Sequence, residues 1–256
     1  MKRTTIGFLL LVVLVFSTTS DARRRNNGSR RTPPPPQGVV SIPCDPSIDK
    51  IEECPDRGCS NGRAFDPNLN RQKNIRTSNK TPLDKDFSEL AGLADPGSDF
   101  VEGGSRNALT ALGEGDMIRV VAFAVRVSRG SQESCNCQLT HMADKDNHIV
   151  LIDPTDRSPS LNDEDDSQTA EFTPRVRLDH PNLKWSILNR LIQAASRRAL
   201  KVRVTGLQMF DSFHFFHNAL PRQNNWEIHP VFKLEYCPRR KHCEAGSDTN
   251  WVDLEQ

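Results

Sequence analysis

Two stretches of this 256-residue chain concentrate the side chains that hold protons or metal ions. The first carries Cys135, Cys137, His141, Asp144, Asp146 and His148; the second carries His214 and His217. Thiolate, imidazole and carboxylate are the ligand types of zinc and related ions, so the eight form a candidate metal group. Their spacing argues against it. Cys135-x-Cys137 is tighter than the usual zinc knuckle, and His214 and His217 share a face only if their segment is helical. No metal and no cofactor are therefore expected.

A second constellation is Glu227 and His229, with Glu171 and Arg175. A Glu and a His two residues apart on a strand point the same way and can share a proton. The competing reading is a polar network that fixes strand pairing. The chain has no Gly-x-Ser-x-Gly elbow, no His-Glu-x-x-His and no Walker loop, so no residue is assigned a catalytic role.

The N-terminus bears on the cysteines. Lys2 and Arg3 precede the apolar run 6–16, and Ser20-Asp21-Ala22 offers a small-x-small cleavage site, the pattern of a secretory signal. The run is short for a membrane span, and no later segment is apolar enough for one. An exported chain, periplasmic or extracellular, is expected. There, Cys44, Cys54, Cys59, Cys135, Cys137, Cys237 and Cys243 all read as disulfide candidates, with at least one left over or bonded between chains.

The elements that must position these residues follow from periodicity. In 226–236, Trp226, Ile228, Pro230, Phe232, Leu234 and Tyr236 alternate with Glu227, His229, Val231, Lys233 and Glu235. This predicts a strand with a buried face and a wet face. On that reading Trp226 packs in the core with Val121, Phe123 or Val125, and changing Glu227 or His229 leaves the protein folded. Earlier strands are expected at 117–127, 148–152, 170–178 and 200–206, with Pro174 marking an edge or bulge in the third. Asp179-His180-Pro181-Asn182 starts a helix, with Trp185, Leu188, Leu191, Ile192 and Ala195 on its apolar face. One amphipathic helix between the third and fourth of five strands is the order of the OB-fold, a partly open Greek-key barrel.

The divisions expected are a signal peptide at 1–22, an Arg/Pro-rich linker at 23–42, a loop-rich cysteine-containing extension at 43–115, the OB-like domain at 116–238 and a tail at 239–256. Asp66 to Asn74 reads as one or two helical turns, and 87–93 as a short helix. The extension is not expected to form a second core.

Five blocks carry a resemblance: Glu133-Ser134-Cys135-Asn136-Cys137, Asp146-Asn147-His148-Ile149, Glu171-Phe172-Thr173-Pro174-Arg175, Val202-Arg203-Val204-Thr205-Gly206 and Trp226-Glu227-Ile228-His229-Pro230-Val231. With them the chain resembles a group of exported bacterial proteins of unassigned activity, whose shared OB-like domain ends in such a strand. The likeness spans about 116–238, and 59–74 looks like the cysteine- and glycine-rich segment that often precedes that domain. It implies a fold and no reaction. Where those proteins carry Gly-Lys and Arg after the fourth strand, this chain has Phe213-His214-Phe215-Phe216-His217-Asn218.

OB-folds bind across their second and third strands, between the loops joining strands one to two and four to five. On this placement Asp146, His148, Glu171, Arg175, His214, His217, Glu227 and His229 are the candidate ligand contacts. Phe213, Phe215 and Phe216 form either a stacking platform or a satellite core. Acidic and basic residues balance across 116–237, which argues against strong nucleic-acid binding by the folded part. The function expected is an exported binding module, without chemistry, for an oligonucleotide, an oligosaccharide or a protein partner. The alternative is a metal-dependent hydrolase or nuclease using His and Asp of the cleft loops.

Overall fold

The computed structural model describes residues 38–256. The apolar run 6–16, the cleavage site and most of the Arg/Pro-rich linker lie outside the described residues. The strands are β1 (Leu83–Lys85), β2 (Met117–Arg129), β3 (Asn147–Ile152), β4 (Gln168–Phe172), β5 (Leu200–Phe210), β6 (Trp226–Tyr236) and β7 (Val252–Asp253). The helices are α1 (Pro67–Lys73), α2 (Phe87–Ala91), α3 (Asn107–Thr110), α4 (Pro174–Arg177), α5 (Trp185–Ala194) and α6 (Ser212–Phe216). Hydrogen bonding runs β2-β3-β4-β6-β5 and closes through β5 to β2. Within this ring only the β4–β6 pair is parallel. With α5 between β4 and β5, this is the expected mainly β, five-stranded OB-like Greek-key barrel.

The core alternation along β2 is opposite to that expected. Ile118, Val120, Ala122 and Ala124 fill the main core, while Val125 joins a small outer cluster with Val150 and Ile152. The pairing to β3 slips between Ala124 and Arg126, and after this bulge Val127 points inward again. Trp226 is buried as expected, but its ring meets Phe210 edge-on at 5.2 Å, and its Nε1 donates to Ala94 O at 2.9 Å.

The third strand ends earlier than its sequence pattern implied. Thr173 accepts from the Val176 amide and caps α4, so Pro174 sits at the first turn of a helix, where its missing N–H costs nothing. In β6, Glu227 and His229 are fully buried, and Val231, placed on the wet face by alternation, belongs to the main core. The β5–β6 register shifts around Gly206 break the simple period there.

The extension accounts for the buried second face. Asp66 caps α1 by accepting from the Asn68 and Leu69 amides, and α1 lies against the 134–136 turn. Gly58 is required beside that turn: its φ is +68°, and a Cβ would stand 2.0 Å from Ser134 O. β1 pairs with β2, and Phe87, Leu90, Phe100 and Leu109 join the barrel's own core cluster. A smaller cluster gathers Ile51, Cys54, Cys59, Cys137 and Leu139. Disulfides join Cys44 to Cys59, Cys54 to Cys137 and Cys237 to Cys243; Cys135 is free and buried. Among the described residues, no helix is long and apolar enough to cross a membrane.

Candidate functional site

β3, β4 and β6 each bring ionisable side chains to one buried layer under the extension. Asp146 enters just before β3 and His148 within it; Glu171 comes from β4, and Glu227 and His229 from β6. Register explains the convergence: His148 stands opposite Glu171, and β6 runs beside β4. His229 is the hub. Its Nδ1 lies 3.2 Å from Glu171 Oε2 and 3.4 Å from Glu227 Oε2, and its Nε2 lies 3.9 Å from Asp146 Oδ2. His148 Nε2 is 3.5 Å from Glu171 Oε2 and 3.8 Å from Glu133 Oε1.

Four further residues complete the layer, and alternation gave no sign of them. Lys73, on α1, reaches Glu133 at 3.0 Å. Arg222, in the loop before β6, bonds Glu227 and, at 2.8 Å, Asp211. Asn136 donates to Asp146 Oδ1 at 3.1 Å.

Burial and these pairings set the protonation. Burial pushes the Glu171 carboxyl up to about 7 despite both histidines. Burial also raises Asp146, which no fixed cation bonds directly. It opposes charge on His148, but Glu171 and Glu133 outweigh it and carry the imidazole to about 10. His229 is raised against burial by Glu171 and Glu227. Burial likewise opposes ionisation of Glu133 and Glu227, yet Lys73 holds the first and Arg222 the second below the usual carboxylate range. The Cys135 thiol, buried beside Glu133, is pushed far up.

A cavity of about 290 Å³ opens above this layer. Glu133, His148 and Glu171 lie at its polar side, and Phe213 and Leu220, both partly exposed, at its apolar rim. Its wall includes α1 and residues of 60–66, so the extension covers part of the cleft left open in a bare barrel.

The other expected contacts divide. His214 lines the cavity, with Nδ1 bonded to Asn218 O at 2.8 Å. His217 turns away to Glu102 at 2.8 Å, although α6 is helical. Arg175 points into the extension and donates to Cys54 O. Cys137 is committed to its disulfide, which removes it from any metal set. Phe215 and Phe216 pack on Phe210 and Phe100 and so extend the main core rather than forming a satellite one, whereas Phe213 remains 44 % exposed.

Comparison with protein-family models, with curated proteins and with solved structures gave no match.

Proposed function

We propose that this chain is an exported OB-fold binding module that takes one end of an oligosaccharide into the cavity between extension and barrel. The observation that carries this reading is the pairing of an exposed Phe213 with a carboxylate-rich wall. The C–H face of a sugar packs on an aromatic ring, and its hydroxyls donate to carboxylates. Four carboxylates (Asp66, Glu133, Glu171, Asp211) against three cations (Arg63, Lys73 and the protonated His148) disfavour a polyphosphate ligand, whose affinity comes from neutralised phosphates. This favours the oligosaccharide over the oligonucleotide. Three disulfides and the apolar N-terminal run support export.

Calorimetric titration of the full chain with soluble cell-wall oligosaccharides and single-stranded oligonucleotides tests the reading. Saturable binding of a sugar, with none of the oligonucleotide, is expected. Tight oligonucleotide binding that weakens steeply with salt, or no sugar binding at millimolar concentration, overturns it. Shortened sugars in the same mixture would make the protein a hydrolase and overturn a role without chemistry.

A further inference from the structure

The layer beneath the cavity contains polar atoms that the protein leaves without well-aligned partners. Asp146 Oδ2, Glu171 Oε2 and His229 Nε2 are buried and make no well-aligned hydrogen bond, although the two histidines stand beside Glu171 Oε2. Asp146 is 1 % exposed and His229 0 %. Burying such groups without a partner is costly, and more so when they are charged. The separation of 3.9 Å between His229 Nε2 and Asp146 Oδ2 is too long for a hydrogen bond, in whichever state the imidazole stands. It suits two ligands on one ion after a small contraction.

We infer that Asp146, Glu171 and His229 form a binding site for a divalent transition-metal ion of the zinc or manganese class. One ligand atom from each of the three lies within 4.8 Å of the other two. The surroundings fit ligation. His229 stands between the two carboxylates, its Nδ1 3.2 Å from Glu171 Oε2 and its Nε2 3.9 Å from Asp146 Oδ2, and Glu227, which Arg222 fixes in turn, lies 3.4 Å from Nδ1; a carboxylate beside the imidazole is the support usual around metal-bound histidine. Asn136 holds Asp146 by its other oxygen. Two carboxylates and one imidazole favour zinc or manganese over calcium or magnesium, which take mostly oxygen ligands and, for calcium, six to eight of them. Glu171 also lines the cavity, which gives the ion a route in. The site differs from the loop group of the sequence reading: it shares only Asp146 with it, and its other ligands come from β4 and β6.

The test uses the full untagged chain, stripped with chelator and titrated with Zn2+, Mn2+, Ca2+ and Mg2+ by calorimetry and thermal melting. Zn2+ or Mn2+ should bind in about one equivalent and raise the Tm, and Ca2+ and Mg2+ should not. Asp146→Asn keeps the bond from Asn136 and removes a buried unpartnered charge. It should melt no lower than the chelator-treated parent, yet bind the ion roughly a hundredfold or more weakly. Glu171→Gln should show the same loss. No Zn2+ or Mn2+ binding by the parent overturns the inference, as does equal binding by parent and variants. Sugar titration without metal is a separate measurement, so either reading can fail alone.

Discussion

Cys54 and Cys137 are joined across 83 residues of sequence, one in the extension and the other in the loop between β2 and β3. This covalent tie holds the cover over the buried polar layer. By the loop-entropy account, a closure of this length contributes about 4.5 kcal/mol. The double variant Cys54→Ser, Cys137→Ser should therefore lose stability of that order in urea melts. Limited proteolysis should then cut first in 43–74. Equal resistance in parent and variant would show that packing alone holds the cover.

Trp226→Ala should cost about 3–5 kcal/mol, because the ring is fully buried against Phe210. Much of a small domain's roughly 5–15 kcal/mol would go with it. His229→Ala should also destabilise, contrary to its apparent place on a wet face. It removes the group lying among Asp146, Glu171 and Glu227, all of them buried. Thermal melts compare the two. A His229→Ala protein that melts like its parent would mean the three carboxylates are neutralised by something else.

Acid should weaken a second cluster of ion pairs, which joins β5, β6 and the C-terminal segment. Arg203 bonds both oxygens of Glu235 at 2.7 Å and Asp248 at 2.8 Å; Lys233 bonds Glu235 at 3.0 Å and reaches Asp253 at 3.5 Å. Burial opposes ionisation of Glu235, but Arg203 and Lys233 outweigh it and hold its carboxyl below the ordinary value. A depressed folded-state value gives stability that is present above the unfolded value, near 4.3, and is lost as pH falls through the folded one. Melts of the parent should therefore drop below about pH 4, and Arg203→Met should flatten that acid limb. An unchanged limb would place the acid-sensitive carboxylates elsewhere.

Phe213→Ala separates binding from folding. The ring is 44 % exposed at the cavity rim and outside the main core, so its loss should leave the melt within about 0.5 kcal/mol of the parent. Sugar affinity should fall about tenfold, the worth of one aromatic contact. Phe215→Ala should do the reverse, because Phe215 packs on Phe210 at 5.2 Å. Unchanged sugar affinity in Phe213→Ala would remove the rim from the binding surface.

The order of five strands and one helix was legible because alternation and an amphipathic stripe are local signals. The faces were less so. Alternation in 226–236 marks Glu227 and His229 as polar, and polar residues turn toward water or toward other buried polar groups with the same period. Only the distant segment carrying Lys73 and Cys54 decides between these. Thr173-Pro174 held a readable cue, since a capping hydroxyl before proline is helix-start chemistry, but the flanking apolar residues fit a strand equally well. Asp146, His148, Glu171, Glu227 and His229 were singled out by type and do meet in one layer. Arg222, which with Lys73 offsets the carboxylates of that layer, and Asp211, which holds Arg222 from its other side, sit in or beside irregular segments where spacing carries no message.

Gly58 and the segment around it also govern how the gene can be divided. A fragment beginning at 116, where the strand pattern starts, would lack Lys73, Cys54 and the Phe87, Leu90, Phe100 and Leu109 side chains. Its barrel would present carboxylates and imidazoles to solvent on one flank and an unfilled apolar gap elsewhere. Recombinant work that trims the extension as dispensable would then study a different object, prone to aggregate and stripped of the cavity wall. Full-length material is thus the reagent from which both the sugar and the metal measurements take their meaning.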